Sequence, residues 1–284
     1  MKLHLSRAKA PPVLIIGAHR SGTSATARAL ELLGLQMGTR LDSHHESKRL
    51  QQLHEAYLQR VGAAWHNPKP FLDWINTAEG AEDCANYLRE HVRNEFSSLF
   101  GYDKSLKGQW LLARLSRGAK WGWKEPRTTL FARLWLELFP EGHVVDVVRH
   151  PLSVALSIRQ RDRTFVSGGD RPTPHLDQLD YCLQLALTYV EVGGRVADAT
   201  PNYRRIRFES LQAGPKSVLA ELGKFCGLPV KASKITEAAR SIRPRTDPPR
   251  PAVSAEDQQK LLRSEMIVSR LGYKMDFQPA PQTS

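Results

Sequence analysis

The sequence predicts an α/β protein in which a parallel sheet is flanked by helices on both faces. Two observations support this prediction. Four short segments have the apolar runs or alternating patterns of strands, and longer stretches with helical spacing separate them. These segments lie at about 13–17, 120–125, 144–149 and 203–208. Alternation of strands and helices along one chain is typical of a parallel sheet that is covered on both sides.

The first strand is a short apolar run that ends at a glycine-rich loop. Residues 17–24 read Gly-Ala-His-Arg-Ser-Gly-Thr-Ser, and an Ala-rich helix follows. Strand, glycine loop and helix together aim free backbone N–H groups at an anion. The spacing almost matches the nucleotide P-loop pattern, but Thr23 stands at the lysine position. P-loop ATPases use that lysine on the β- and γ-phosphates. We therefore interpret this P-loop-like, nucleotide-binding loop as a site for a 5′-phosphate group. Arg20 would lie beside the bond that joins this phosphate to the next group of the ligand.

The segment after the first helix carries a candidate carboxylate, Glu46. The first helix should end at Gly34, and Ser43 followed three residues later by Glu46 predicts a capping box at the start of a second helix. A Pro- and aromatic-rich stretch at 65–74 is predicted as a loop, and a further helix is predicted at 82–99. The body of the second helix is predicted from apolar residues at helical spacing, namely Leu50, Leu53, Tyr57 and Val61.

The second strand ends in a cluster of charges. Residues 120–127 read Lys-Trp-Gly-Trp-Lys-Glu-Pro-Arg and predict a short strand that stops at its proline. Lys124, Glu125 and Arg127 therefore lie at the carboxyl end of a parallel strand, where α/β folds bind ligands. A surface cluster of salt bridges explains these charges equally well. A helix with one apolar face follows.

The third strand ends in Arg-His-Pro. Pro151 is a favourable first residue for the next helix, and His150 is interpreted as a cap or packing residue. Arg149 at the strand end and Ser157, one to two turns into the helix, can hold one phosphate group together. Asp146 lies in the middle of this strand and is not placed like a magnesium ligand of an ATP-using enzyme.

The remaining chain adds helices, one strand and a basic proline-rich stretch. The predicted features are a loop at 164–175, a helical stripe at 176–190, the strand at 203–208, helices near 219–226 and 255–270, and the arginine- and proline-rich stretch at 240–253. That stretch cannot form a regular helix. It is either a flap over an anionic ligand or, the commoner outcome, a linker. We expect one domain, 11–273, followed by a flexible tail, 274–284.

The composition favours a globular protein with an anionic ligand. The chain has 284 residues and a formal net charge of +12. The positive charge is spread along the chain without a Lys/Arg block or an RNA-type aromatic motif, so nucleic acid is not expected as a partner. Three widely spaced cysteines, Cys84, Cys182 and Cys226, argue against a disulfide framework or a zinc site. With no signal peptide and no membrane-spanning run, we expect a cytoplasmic protein.

The loops after the first three strands should gather at one edge of the sheet. The implied ligand has two separate phosphate-like ends, one on the glycine loop and one on the Arg149–Ser157 pair. The loops bring together side chains that suit phosphate binding, namely Arg20, Ser21, Thr23, Ser24, Lys124, Arg127, Arg149 and Ser157.

This arrangement resembles sulfotransferases that use 3′-phosphoadenosine 5′-phosphosulfate (PAPS). The Arg149–Ser157 pair is similar to their 3′-phosphate site, and the stretch 121–127 resembles a signature of a bacterial branch, in which Asp commonly replaces Glu125. The arginine of the glycine loop, in place of a lysine, is closer to the carbohydrate and tyrosylprotein branches. The loop itself is similar to their 5′-phosphosulfate loop, which implies cofactor contacts from His19, Arg20, Ser21, Gly22, Thr23 and Ser24.

The resemblance implies an enzyme that moves a sulfuryl group from PAPS to a hydroxyl or amine by in-line displacement, releases 3′-phosphoadenosine 5′-phosphate (PAP) and requires no metal. Its acceptor is expected to be a glycan, a lipid or a small molecule. Related branches place a catalytic glutamate shortly after the first helix, which favours Glu46 as the base, with Arg20 and Lys124 as catalytic cations. The rivals for the base are His44, His45 and Glu125. Candidate residues around the acceptor are Trp65, His66, Trp74, Trp110 and the 164–175 loop.

Two other functions are weighed against this one. An ATP-using kinase of the P-loop class is disfavoured by Thr23 at the lysine position. A non-catalytic nucleotide-binding module is disfavoured because charged residues stand at three strand ends.

Overall fold

A computed structural model of the chain describes residues 8–244, 252–275 and 278–279. Within these residues, four parallel strands form the central sheet in the order β2-β1-β3-β4. The predicted α/β class is confirmed, and every predicted strand end lies within one residue of the observed one. The four strands are β1 (Pro12–Ile16), β2 (Trp121–Lys124), β3 (His143–Val148) and β4 (Tyr203–Arg207).

Helices follow each strand and cover both faces of the sheet. They are α1 (Thr23–Leu33), α2 (Lys48–Arg60), α3 (Lys69–Ile75), α4 (Ala78–Leu99), α5 (Leu106–Leu115), α6 (Thr128–Leu138), α7 (Pro151–Ser167), α8 (Leu179–Arg195), α9 (Phe208–Ala213), α10 (Pro215–Phe225), α11 (Ala232–Arg240), α12 (Ala255–Leu262) and α13 (Glu265–Arg270). A short 3-10 turn covers Val196–Asp198, and a two-residue strand β5 (Ala252–Val253) pairs in parallel with β6 (Gln278–Pro279).

The sheet separates two hydrophobic cores. Leu14 and Ile16 of β1 point into the larger core, which α2 to α8 cover, whereas Val13 and Ile15 point into a smaller core against α1, α10 and α11. All four side chains are buried, as expected for a central parallel strand. Burial of apolar area on both faces, worth about 25 cal/mol per Å², holds the strands in register.

The register brings the carboxyl ends of β1, β2 and β3 level with one another. Ile15 pairs with Lys124, and Ile16 pairs with Asp146. The glycine loop after β1, the charged segment after β2 and the Arg149 segment after β3 therefore leave the sheet at the same edge.

The predicted capping box at Ser43 is wrong. Helix α2 begins at Lys48, and its N-cap is Ser47, whose hydroxyl accepts a hydrogen bond from the Leu50 N–H. The residues before it form a separate turn, because the Asp42 carboxylate accepts the backbone N–H of Glu46 at 2.9 Å. Glu46 is thus free of any capping role. The apolar face of the predicted helix is confirmed at Leu50, Leu53 and Tyr57, which are buried.

Several other boundaries differ from the prediction, among them the starts of α4 at Ala78 and of α10 at Pro215. The predicted loop at 65–74 contains helix α3, and α7 continues to Ser167 into the loop predicted at 164–175. The predicted helix at 255–270 is two helices with a break at 263–264. Most of the arginine- and proline-rich stretch, at 245–251, lies outside the described residues, as does most of the expected tail. No helix in the described ranges is long and apolar enough to cross a membrane.

Candidate active site

The glycine loop has a backbone that requires glycine at two positions. Gly17 and Gly22 have φ angles of 141° and 100°, which disfavour residues with a side chain. A Cβ at Gly17 would lie 2.4 Å from the Val147 carbonyl oxygen, and one at Gly22 would lie 2.3 Å from the ring of Phe208. Gly22 is also the N-cap of α1, and no side chain caps this helix start. The N–H groups of its first turn are therefore available to an anion.

Two buried polar atoms of the loop lack a hydrogen-bond partner among the described residues. They are the hydroxyl oxygen of Ser21 and Nε2 of His19. The His19 ring is 92% buried and lies 4.4 Å from the ring of Trp65. Burial lowers the pKa of His19 well below its ordinary value, with Arg127 adding to the shift, so His19 is neutral at pH 7. Unsatisfied buried polar groups are costly and often mark a place where a ligand binds.

A buried ion pair lies beside the loop. Nζ of Lys124 contacts Oε1 of Glu46 and also donates a hydrogen bond to the Ser24 hydroxyl at 3.0 Å. The other oxygen of Glu46 accepts a hydrogen bond from Gln51 at 2.7 Å. Burial raises the pKa of Glu46, although Lys124 opposes the shift, and burial lowers the pKa of Lys124. The structure thus brings Glu46 and Lys124 together at the start of α1.

Glu125, a rival for the base, has buried partners on both carboxylate oxygens. Oε1 accepts a hydrogen bond from Arg127 at 2.6 Å, and Oε2 lies 2.6 Å from Nδ1 of His54. Because the indole N–H of Trp135 can only donate, to Nε2 of His54 at 3.1 Å, the proton of His54 is on Nδ1 and is donated to Glu125. Burial favours the protonated acid, but Arg127 and His54 outweigh it and hold the pKa of Glu125 well below its usual range.

The two other candidate histidines lie on the Asp42–Glu46 turn. His44 is exposed, and its backbone N–H donates to Asp42. His45 has a φ of 61° and lies 3.4 Å from Glu31. Burial lowers the pKa of each. Within the described residues, neither side chain forms a hydrogen bond or ion pair with the glycine loop.

The Arg149–Ser157 pair lies against the glycine loop. Nε of Arg20 donates a hydrogen bond to the Ser157 hydroxyl at 3.0 Å, and Arg149 donates one to the Arg20 carbonyl oxygen at 3.3 Å. His150 caps α7 as predicted, because its Nδ1 accepts the Leu152 N–H at 3.2 Å. Burial lowers the pKa of Arg149, and the nearby Glu209 opposes the shift. One continuous cationic surface therefore joins the loop to α7.

Sequence reasoning missed Arg161, although its position gave a signal. It follows Ser157 by four residues on α7, so the two side chains share one helix face. The guanidinium is half-buried, and no residue in the described ranges hydrogen-bonds to it. Burial lowers the pKa of Arg161, and the next cause is the charge of Arg20. Arg161 thus adds an unpaired cation beside the loop.

The predicted acceptor residues divide into two groups. Trp65 packs on His19, and the Tyr189 hydroxyl donates to the Trp65 carbonyl at 3.0 Å, so this residue lies at the loop. Trp74 instead donates to the Tyr57 hydroxyl, and Trp110 lies on the outward face of α5. Trp110 contacts Arg114 of the same helix, 4.8 Å from its ring, and its place at the acceptor stays a prediction.

Asp146, the aspartate weighed for a magnesium site, is buried in the sheet. Its carboxylate accepts hydrogen bonds from the Tyr203 hydroxyl at 2.6 Å and from Arg205 at 2.8 Å. Asp146 on β3 therefore has a structural role, because its carboxylate binds two side chains of the neighbouring strand β4.

Comparisons with known proteins identify the family and the fold. A sequence profile described as the sulfotransferase family matches residues 11–232. The structure is similar to that of the sulfotransferase STF9 from Mycobacterium avium, with a TM-score of 0.55 and 12% identity over 97% of this chain and 80% of that one. The sulfotransferase domain of the Synechococcus PCC 7002 olefin synthase matches with a TM-score of 0.47 and 17% identity over 94% of this chain and 96% of that one. A search of curated proteins finds no significant match.

Proposed function

The chain belongs to the sulfotransferase family, and on this premise we propose that it transfers a sulfuryl group from PAPS to a hydroxyl or amine of its acceptor. One observation carries the proposal: the hydrogen bonds of Arg20 join the glycine loop to the Arg149–Ser157 pair. A donor with a phosphate at each end of one adenosine needs two anion sites within the span of one molecule. The contacts of Arg20 supply that proximity.

The glycine loop fits the 5′-phosphate end of this donor. The uncapped start of α1 offers backbone N–H groups, and the buried Ser21 hydroxyl lacks a partner within the described chain. Glycine at positions 17 and 22 lets the loop adopt this backbone, because a Cβ there would clash with the Val147 carbonyl oxygen or the ring of Phe208. A phosphate oxygen placed here would satisfy the Ser21 hydroxyl and the first-turn N–H groups together.

The other end of the donor is assigned to Arg149 and Ser157. The Ser157 hydroxyl accepts its hydrogen bond from Arg20, so its own proton remains free to be donated. The Arg149 guanidinium has further N–H donors besides the one on the Arg20 carbonyl oxygen. A 3′-phosphate between these two groups would receive charge-assisted hydrogen bonds, which are the stronger kind.

The residues of the loop also suit the chemistry. Bound PAPS supplies an activated sulfuryl group and a stable phosphate leaving group. Arg20 and the first-turn N–H groups of α1 are fixed before the reaction, and they stabilise the negative charge that grows on that phosphate. Removing one such preorganised donor typically costs about 3–4 kcal/mol of transition-state stabilisation. Lys124, which touches Ser24, adds a further cation beside the same helix start.

We assign Glu46 as the base that accepts the proton of the acceptor. Its carboxylate is held by Lys124 and Gln51, and Lys124 in turn contacts the loop through Ser24. The side chain of the rival Glu125, bound by His54 and Arg127, is 0% exposed, whereas that of Glu46 is 10% exposed. The ion pair with Lys124 favours the ionised form of Glu46 that a base requires, against the opposing effect of burial.

The acceptor is proposed to enter between Glu46 and the Trp65–His19 pair. The indole of Trp65, which packs at a tilt of 50° on the neutral ring of His19, offers an apolar surface beside the loop. Arg161 offers a cation without a hydrogen-bonded partner in the described ranges. These features suit a hydroxyl acceptor on a glycan, a lipid or a small molecule.

The test compares PAP with ATP plus Mg²⁺ in a thermal shift assay. A ligand that binds only the folded state stabilises it by about 2.7 kcal/mol at a concentration one hundred times its Kd. We expect a larger shift with PAP, and the same shift when a chelator is present. A larger shift with ATP that depends on Mg²⁺ would support a kinase instead. Transfer of radioactive sulfate from labelled PAPS to cell-extract acceptors then identifies the product class.

A further inference from the structure

Helix α5 presents an apolar stripe to solvent. Leu106 is 87% exposed and Trp110 is 58% exposed, and they lie one turn apart. At 100° per residue, Leu106, Trp110 and the exposed Ala113 share one face, opposite to the face of Leu111 and Leu115 that packs into the core. Single exposed apolar side chains are common on proteins, but here they form a continuous stripe along a helix.

The same segment is rich in positive charge. Residues 104–120 contain five Lys or Arg residues and no Asp or Glu. None of these cations has an ion-pair partner among the residues the structure describes, although Arg114 lies 4.8 Å from the Trp110 ring. Four of them are exposed around the stripe, namely Lys104, Lys107, Arg114 and Arg117.

We propose that this face of α5 docks on an anionic lipid surface. Leu106 and Trp110 would enter the interface between headgroups and acyl chains, where the amphipathic ring of tryptophan is favoured. The surrounding Lys and Arg side chains would lie at the level of the headgroups, each adding about fivefold to the affinity through its charge. A soluble polyanion would engage the cations but would leave the apolar stripe in water.

The position of α5 gives this docking a consequence for the enzyme. The segment just before α5 contributes Asp103 and Lys104 to the lining of a cavity of about 700 Å³. Asp42 and Ser47, which flank Glu46 in the chain, line the same cavity. A docked lipid surface would therefore lie beside an opening next to the turn that carries the proposed base. This consequence depends on the proposed function, whereas the docking itself does not.

Vesicle flotation of the full chain tests the proposal. We expect binding to phosphatidylcholine vesicles that contain phosphatidylglycerol, weaker binding at high salt, and little binding to phosphatidylcholine alone. The double variant Lys107→Gln, Arg114→Gln should bind at least about tenfold less tightly. The double variant Leu106→Ser, Trp110→Ser keeps every charge and should also lose most of its binding. Absence of binding by the wild-type chain, or equal binding to both vesicle types, would overturn the proposal.

A matched control comes from another exposed apolar pair. Met266 and Ile267 on α13 are 64% and 44% exposed, and they follow the acidic residue Glu265. The variant Met266→Ser, Ile267→Ser should bind vesicles like the wild type. Should the Leu106→Ser, Trp110→Ser variant also bind like the wild type, the face would be a polyanion site and the lipid proposal would be wrong.

Fluorescence gives a readout that needs no destabilising change. Trp110 is the exposed tryptophan among six in the chain, so its emission should shift to the blue on vesicles and be quenched by brominated lipids. The conservative Trp110→Phe variant should lose that signal. The PAP thermal shift, measured on the same samples, reports the nucleotide site separately, so failure of docking and failure of the proposed function can be distinguished.

Discussion

Lys124 and Glu46 form a buried ion pair that also touches the glycine loop, because Lys124 donates to the Ser24 hydroxyl. The two residues are 78 positions apart in the chain. The end of β2 and the turn before α2 are thereby fixed to the start of α1, which we assign to binding of the donor phosphate. This contact links the proposed base to the proposed donor site.

The first prediction concerns Glu46. The variant Glu46→Gln should keep PAP binding and lose turnover by about 10²–10⁴-fold, since it can no longer accept a proton. Glutamine can still accept a hydrogen bond from Lys124, but the loss of the buried charge partner should lower Tm, so the PAP thermal shift is measured against the unliganded Tm of the same variant. Steady-state kinetics and the PAP thermal shift measure the two effects. Glu95→Gln, on the surface pair with Arg49, serves as the control, and normal turnover of Glu46→Gln would place the base elsewhere.

The second prediction concerns the pH dependence. Burial raises the pKa of Glu46 above its ordinary value of 4.5, and Lys124 opposes this shift without cancelling it. Since the base must be ionised, kcat/KM should fall as the pH drops through a pKa above 4.5. The free energy of unfolding depends on pH in the opposite direction to kcat/KM. Because the pKa of Glu46 is raised in the folded state, this residue stabilises the fold at low pH, and its contribution is lost as the pH rises through that pKa. A pH–rate profile measured over the stable range checks the acid limb, which the residual activity of Glu46→Gln should lack.

The third prediction concerns Arg149. Arg149→Ala should weaken PAP binding by about tenfold to hundredfold, which corresponds to a charged hydrogen bond of about 1.5–3 kcal/mol. It should hardly change the binding of 5′-AMP, which lacks the 3′-phosphate. Isothermal titration with both nucleotides measures the ratio. Arg163→Ala, an exposed position on the same helix, is the control, and an equal loss for both nucleotides would contradict the assignment.

The fourth prediction concerns Gly22. Gly22→Ala should lower stability and abolish PAP binding, because its φ of 100° is strained for alanine and its Cβ would meet Phe208. Gly34 offers a close comparison, since its φ is 113° but nothing lies within 4 Å of an added Cβ. Gly34→Ala should therefore cost only the backbone strain, about 1 kcal/mol, and keep PAP binding. Equal Tm values and equal PAP-induced shifts of the two variants would contradict the proposed role of the glycine loop in binding PAP.

The fifth prediction concerns Glu125. Glu125→Gln should lower the free energy of unfolding by about 3–5 kcal/mol, because it removes the buried charge partner of Arg127 and leaves only the half-exposed Glu55 paired with it. At about 2–4 °C per kcal/mol, calorimetry should show a clear drop in Tm. The folded fraction should still turn over substrate. Full stability combined with lost turnover would instead identify Glu125 as the base.

The strands, and the meeting of the glycine loop with the Arg149–Ser157 pair, could be predicted because their signals are local or topological. The apolar runs of β1 and β3 are bounded by proline, glycine or charge, and a parallel sheet brings the strand ends to one edge. The Arg20–Ser157 contact, 137 residues apart, follows from that topology. The contact partners of single side chains do not follow from it.

The errors near α2 have a physical reason. Ser43 and Glu46 have the better capping-box pattern. In the folded chain, however, Glu46 forms an ion pair with Lys124, and Ser47 caps the helix instead. His54 was missed because it lies on the apolar face of α2, one turn after Leu50, where it reads as a core position. Its hydrogen bond to Glu125, from a distant segment, decides its role. Tertiary contacts thus override the local pattern at the site itself.

The cap at Ser47 has a consequence for how this enzyme could diversify. Since α2 is started by its own serine, the five-residue turn from Asp42 to Glu46 is closed by its own hydrogen bonds. Gln51 of α2 joins this turn to the helix by donating to Asp42 and Glu46. Insertions or exchanges in that turn can reposition the carboxylate without unwinding α2. New acceptor preferences could then arise by exchange of one short segment on an unchanged nucleotide scaffold.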